Sequence, residues 1–304
     1  MPNLGMVIVV GIALLPLFVG SFLAIFLFKR SQKGRRTPLT NQLLRGPGEG
    51  LRNELEKNSE KLLDALMFMG TSCFPALVLL FVLSLLQEHH VYYWQFVVLG
   101  LVYVACIVWC VNKLIAVMIQ RRKLYLGLDA EIAVGQELNQ LMLHGCRVYH
   151  DFPAEEFNID HVVVGPGGVF AVETKGRSKP DKGRGNIDAK VFYDGEALKF
   201  PDWNEKKPLT QARRQAVWLT KWLTSAVGEP VKALPVLALP GWFVERTRAG
   251  GVIVINGKSP FVLARPQGKV PLDEKLIQQI SHQLEQRCRD VEPVGYKKVK
   301  KKAA

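Results

Sequence analysis

Three apolar runs that contain no charged residue constrain this chain more than any other feature. They cover Met6–Phe28, Ala65–Leu86 and the stretch from Val91 to Asn112. Each reaches the ~20 residues that a helix needs to cross the hydrocarbon layer of a bilayer. Within lipid, a helix satisfies its own backbone hydrogen bonds, so a lone apolar segment of this length is read as a spanning helix. The sequence therefore predicts three transmembrane helices, about 6–28, 65–86 and 91–112, within a membrane region 1–123. A cleaved signal peptide carries Lys or Arg before its apolar core. Here Met1–Gly5 has none, while Lys29, Arg30, Lys33, Arg35 and Arg36 follow the run, which is the order of a retained anchor.

The distribution of positive charge orients these spans. The chain carries 40 Lys+Arg against 27 Asp+Glu, a formal net charge of +13. Nine basic residues fall in the loop 29–63, and Arg121, Arg122 and Lys123 follow the third run. Short basic flanks stay inside. The expectation is a multi-pass protein of the plasma (inner) membrane, with its N-terminus outside and with the loop 29–63 and residues 121–304 cytoplasmic. A transport path needs ionisable residues within the spans, for which Lys113 near one end is the only candidate, so they read as an anchor. The five cysteines form no CxxC pair, which leaves a zinc or redox site without support. His89–His90 read as polar turn residues.

Residues 124–290 read as one mixed α/β domain, followed by a basic tail, 291–304. Ile132, Val134, Leu138 and Leu141 mark a helix over Arg121–Leu141 that continues out of the membrane or restarts near Gly127. Arg147–Asp151 reads as a strand and Pro153–Phe157 as a polar loop. Next comes Asn158-Ile-Asp-His-Val-Val-Val-Gly-Pro-Gly-Gly-Val-Phe-Ala-Val-Glu-Thr-Lys175, two β-branched runs around strong turn chemistry, hence a hairpin. With Gly165–Gly168 as a four-residue loop, Val164 faces Val169 and Asp160 faces Glu173. Side chains directly opposite lie ~5 Å apart on one face, and period two adds Lys175 to that face. Two carboxylates so placed repel by roughly 3 kcal/mol at an effective dielectric near 20. Folding gives no reason to gather them among valines; an ammonium or a hard divalent cation does. Alternation sends His161 to the opposite face as a structural residue, and Asn158 falls opposite Lys175.

Downstream, Arg177, Lys179, Lys182 and Arg184 lie in a Gly/Pro-punctuated loop beside this cluster, in the manner of a phosphate-backbone clamp or of a solvated basic loop. A hairpin follows at Val191–Leu198 with Asp194-Gly195 at its turn. A helix over Leu209–Trp222 adds Arg213 and Arg214 to the basic set, with Trp218 and Trp222 as core residues. Ala233–Leu239 and Gly251–Ile255 read as strands and Leu272–Arg289 as a closing helix. The tail Lys297–Lys302 carries five lysines, suited to anionic lipid or nucleic acid or to a disordered, solubilising end.

The combination Gly127-x3-Glu131, Asn158-Ile-Asp160-His, Gly165-Pro-Gly-Gly-Val-Phe-x-Val-Glu173-Thr-Lys175 and Pro208-x-x-Gln211 resembles the nuclease-related domain (NERD), within the PD-(D/E)XK restriction-endonuclease-like superfamily. The resemblance covers roughly residues 124–245. It implies a restriction-endonuclease-like core, a mixed central sheet flanked by helices, behind the three membrane helices. It further implies that Asp160, Glu173, the Thr174 carbonyl and Glu131 bind Mg²⁺ or Mn²⁺, with Glu137 a lesser substitute for Glu131. Lys175 orients or activates the attacking water, and Gln211 stands beside it. Some related nucleases place a tyrosine four residues after that glutamine, where this chain has Gln215. The implied activity is metal-assisted phosphodiester hydrolysis, on DNA in preference to RNA, by a bilayer-tethered enzyme. The alternatives are a non-catalytic nucleic-acid-binding module and a signalling or scaffold module that uses the same fold.

Overall fold

β-Branched runs and glycine-marked turns produce a central sheet of five strands. The computed structural model describes residues 19–31, 33–35, 37–85, 93–267 and 271–295. The strands are β2 (Arg147–Pro153), β3 (Asn158–Gly165), β4 (Gly168–Thr174), β8 (Ala233–Ala238) and β10 (Ile253–Ile255), in the order β10-β8-β4-β3-β2. β2, β3 and β4 pair antiparallel, whereas β4–β8 and β8–β10 are parallel. The hairpin register is the expected one: Val164 pairs with Val169, and the ladder runs back to His161 opposite Val172. The turn itself is tighter than the expected four-residue loop. Gly165 pairs with Gly168, leaving Pro166-Gly167 at the tip. A Cβ on Gly167 would lie 2.0 Å from the Leu263 carbonyl oxygen, so a glycine is required where this tip meets the loop after β10.

Alternation along the strands builds one core on each face of the sheet. Val162, Val164, Val169 and Ala171 face α4 (Lys207–Val227) and α5 (Glu274–Cys288). Trp218 and Trp222 pack partly buried against that core. Val163, Phe170 and Val172 face Val134 and Leu138 of α3 (Tyr93–Asn139) and Leu141 in the 3-10 turn Gln140–His144 that follows it. A second sheet, in the order β7-β6-β5-β9, is formed by β5 (Lys190–Tyr193), β6 (Leu198–Lys199), β7 (Asn204–Glu205) and β9 (Phe243–Arg246). β5 and β6 are the expected second hairpin; β9, parallel to β5, was not anticipated. The result is a mixed α/β fold.

The N-terminal reading is supported in part. Among the described residues one helix, Gly100–His144, is long and apolar enough to cross a membrane, against the three expected. Most of the first expected span, residues 6–18, lies outside the described residues, as do His89–His90 and the lysine tail; residues 19–31 form α1. Residues 65–85 of the second span are the end of α2 (Glu49–Leu85), which begins inside the expected loop 29–63. The third span and the amphipathic helix after it are a single 47-residue helix, α3, because no proline separates the apolar half from the charged half. The chain divides into two units. Leu44–Leu66 and Val111–Val291 form the one that holds both sheets. The other includes the apolar halves of α2 and α3, where the rings of Phe68 and Trp109 meet edge to face at 5.6 Å.

Candidate active site

The antiparallel registers set three carboxylates in a row. His150 pairs with His161 and Phe152 with Ile159, so Asp151 on β2 falls across from Asp160 on β3. Continued one step, the β3–β4 register places Asp160 across from Glu173 on β4. Asp160 Oδ2 accepts a hydrogen bond from the Thr174 amide at 2.6 Å, which fixes its carboxylate to the end of β4. Glu173 is 1% exposed; its Oε1 meets Lys175 Nζ, and its Oε2 accepts from the Gln215 side-chain amide. The Lys175 amide in turn donates to the Ala238 carbonyl at 2.9 Å, tying the lysine to the end of β8.

α3 supplies a further acid. A Cβ on Gly176, directly after Lys175, would lie 2.6 Å from the Leu126 carbonyl oxygen and 3.0 Å from the Ala130 Cβ. Glycine is what lets the end of β4 approach α3 this closely. Glu131, one residue along from Ala130 in the charged half of α3, is buried beside the site. Burial, with the charges of Asp151 and Glu173 adding to it, pushes the Glu131 carboxyl up to about 8 against an ordinary 4.5. Burial first, then Glu173 and Glu131, raises Asp160 well above the usual carboxylate range. Burial also raises Asp151, against the lowering influence of Arg45. A pocket of about 410 Å³ opens beside this row, lined by Glu54, Glu131, Asp151, Glu155, Glu156 and Asp160 and by no Lys or Arg; Glu173 and Lys175 are not part of its wall. One ammonium faces an excess of carboxylates.

Residues 126–240 match the family model of the nuclease-related domain, NERD. No curated protein and no solved structure matches the chain. The NERD segment contains Glu131, Asp160, Glu173, Lys175, Gln211 and Gln215, and stops short of the pocket wall contributed by Gly50, Leu51 and Glu54 of α2.

Within the NERD segment the structure gathers Glu131, Asp160, Glu173, Thr174 and Lys175. Gln211 is half-buried and makes no side-chain hydrogen bond among the described residues. The glutamine that touches Glu173 is Gln215, one turn later and 0% exposed. It sits on the buried stripe Leu209, Ala212, Ala216, Leu219 of α4, and an amide on an apolar stripe was the signal that could have found it. Asp151, also missed, is the one acid of β2, buried among Val148, Tyr149, His150 and Phe152. His161 lies on the α3 face as expected: its Nδ1 is 2.9 Å from that of His150, whose Nε2 meets Asn139 Oδ1.

The basic set is largely occupied by neighbours. Arg177 grips Glu205 with two nitrogens, Nε at 3.0 Å and Nη2 at 2.6 Å. Arg184 Nε donates to Asp188 at 2.7 Å, and Lys182 pairs with Asp202 at 3.0 Å. Lys179 sits over the Trp242 ring, Arg214 over Phe157, and Arg213 donates to the Gly195 carbonyl. Among the described residues no three His, Cys, Asp or Glu side chains form a ready-made cage for a metal ion.

Proposed function

We propose that this chain is a membrane-anchored, divalent-cation-dependent nuclease, with its restriction-endonuclease-like domain on the cytoplasmic side and its N-terminus outside. The observation that carries the reading is the convergence of Asp160, Glu173 and Lys175, with Glu131, at the open end of the β3–β4 hairpin. The chemistry of this donor set suits Mg²⁺ or Mn²⁺. Hard cations take carboxylate oxygens, and Mg²⁺ keeps several waters and uses one or two carboxylates with substrate phosphate, so no full protein cage is required. The raised Glu131 and Asp160 carboxyls speak for the same need: without a cation, protonation relieves the repulsion. Asp160, Glu173, Glu131 and the Thr174 carbonyl would hold the ion. Bound there, it would polarise the phosphoryl oxygen and lower the pKa of the attacking water.

The protein's own part is positioning and charge. The Thr174 amide holds the Asp160 carboxylate in place, and Gln215 holds that of Glu173. Lys175, next to Glu173, orients the attacking water and offsets the charge that develops on the phosphoryl oxygens. The acid-lined pocket admits a phosphodiester once its charge is compensated. The exposed apolar side chains of α3, among them Trp94, Val97, Leu101, Val104 and Val108, support anchoring in lipid.

The test is hydrolysis of labelled DNA and RNA by the full chain in detergent, with Mg²⁺ and with chelator. Cleavage that needs the cation and disappears in Asp160→Ala and Lys175→Ala is expected; cleavage indifferent to those changes, or none at all, overturns the reading. The engagement of both Glu173 oxygens by Lys175 and Gln215 favours a second reading, a non-catalytic nucleic-acid-binding module. It predicts binding that weakens with salt, and no turnover.

A further inference from the structure

A hydrogen-bonded chain enters the candidate site from a segment that the NERD match leaves out. Arg45 Nη1 donates to Asp151 Oδ2 at 2.8 Å, and the Gly50 amide donates to the same oxygen at 3.0 Å. The other oxygen, Oδ1, accepts from Asn158 Nδ2 at 3.0 Å. The Asn158 carbonyl accepts from Gln215 Nε2 at 3.3 Å, and that same amide donates to Glu173, the partner of Lys175. Arg45, Asp151, Asn158, Gln215, Glu173 and Lys175 thus form one unbroken sequence of contacts within a single unit of the fold.

Several features show that this segment is fitted to the site. Asp151 is 4% exposed and has φ 47°, a left-handed conformation that a non-glycine residue keeps where its surroundings over-determine it. A Cβ on Gly50 would lie 3.1 Å from Asn158 Nδ2 and 3.2 Å from Asp151 Oδ1, and one on Gly48 would lie 2.3 Å from Leu128 Cδ1. Arg45 is anchored from behind: its amide donates to the Cys288 carbonyl at 3.0 Å, and its Nε and Nη2 take both oxygens of Asp290 at 2.7 Å. The acid it reaches forward to, Asp151, is buried; the one behind is exposed.

We infer that Arg45 and Asp151 are positioning residues, which set the orientation of Glu173 and Lys175 through Asn158 and Gln215. The inference rests on the phosphodiesterase reading for its kinetic consequence and on geometry alone for its structural one. Severing this chain leaves Glu173 in place in the sequence but frees its carboxylate to turn away from the catalytic arrangement. The step from substrate binding to chemistry then suffers, while binding itself is spared.

The two ion pairs of Arg45 allow a test in which clamping and positioning separate. The full chain in detergent is assayed with a labelled oligonucleotide and Mg²⁺, in parallel with hydrogen–deuterium exchange of the peptide that contains Glu173–Gly176. Arg45→Ala and Asp151→Asn are expected to lower kcat about tenfold or more with KM held within about threefold. Both should speed exchange at Glu173–Gly176, and Arg45→Lys should recover part of each loss. Asp290→Asn should leave kcat within about twofold and that exchange unchanged, since it removes only the rear anchor. Wild-type kcat and exchange in a folded Asp151→Asn variant would overturn the inference, as would an Asp290→Asn variant that reproduces the whole loss. If the wild-type chain hydrolyses no oligonucleotide, the nuclease reading falls by itself and the exchange comparison still decides the positioning role.

Discussion

The end of the β3–β4 hairpin and the loop that leaves it, residues 176–204, adjoin in sequence and are both crowded with charge, yet they treat it in opposite ways. In the loop most cations are met by acids: Arg177 pairs with Glu205, Arg184 with Asp188, and Lys182 and Arg184 share Asp202, while Lys179 lies over the Trp242 ring. Hydrogen bonds from Arg184 and Lys182 hold Asp188 below its ordinary range, and Lys182 does the same for Asp202. At the hairpin end the balance is reversed. Asp151, Asp160, Glu173 and Glu131 share Arg45 and Lys175, and the acids that shift there shift upward. Paired charges at a surface contribute modestly to stability and need nothing further. Buried charges in excess of their partners cost folding energy, and groups shifted in this way concentrate at functional sites.

The contrast breaks first at the largest expected effect. Asp160→Ala and Lys175→Ala should each lower hydrolysis by about three orders of magnitude or more, whereas Arg184→Ala should change it by only a few-fold, all measured as kcat/KM on one oligonucleotide. Comparable losses at both places would mean that the loop belongs to the site. Gln215→Leu tests the amide that the motif did not single out. Removing a donor to a buried carboxylate should lower kcat by about 10- to 100-fold, against little change for Gln211→Leu.

Stability offers the next distinction. Glu131 binds its proton more tightly folded, up to about 8, than unfolded near 4.5. Its contribution is therefore fully present below pH 4.5 and is lost as pH rises towards 8. Glu131→Gln should flatten that slope and raise Tm at pH 8, by an amount on the order of a few kcal/mol of stability, with little change near pH 4.5. Thermal melts in chelator at the two pH values check this. Mg²⁺ at about a hundred times its Kd should stabilise the wild-type chain at pH 8 by roughly 2.7 kcal/mol, and Asp160→Asn should abolish most of that gain. The smallest effect belongs to the loop: Arg184→Ala should leave this Mg²⁺-dependent gain in Tm unchanged.

Much of the domain was legible because its signals are local. Two valine-rich runs around Gly165-Pro-Gly-Gly168 specify a hairpin and its register, and with them the placing of Asp160 across from Glu173. The apolar stripe of α4 and the alternation that sends His161 to the far face follow from the 3.6 and 2.0 periods in the same way. Where the signal was not local, the reading failed. Nothing within residues 29–63 marks Arg45 as the partner of Asp151, more than a hundred residues away, and nothing in a short stretch such as Phe243–Arg246 reveals that it pairs in parallel with β5.

Periodicity and turn chemistry thus determined which strands exist, which way they face and which two acids meet. Tertiary structure decided the rest: that α3 brings Glu131 to the site, that Gln215 rather than Gln211 reaches Glu173, and that Arg177, Lys182 and Arg184 next to the site are paired with acids. The physical reason is that backbone geometry repeats along the chain and can be read from spacing, whereas burial and charge compensation depend on what distant segments bring to the same point in space.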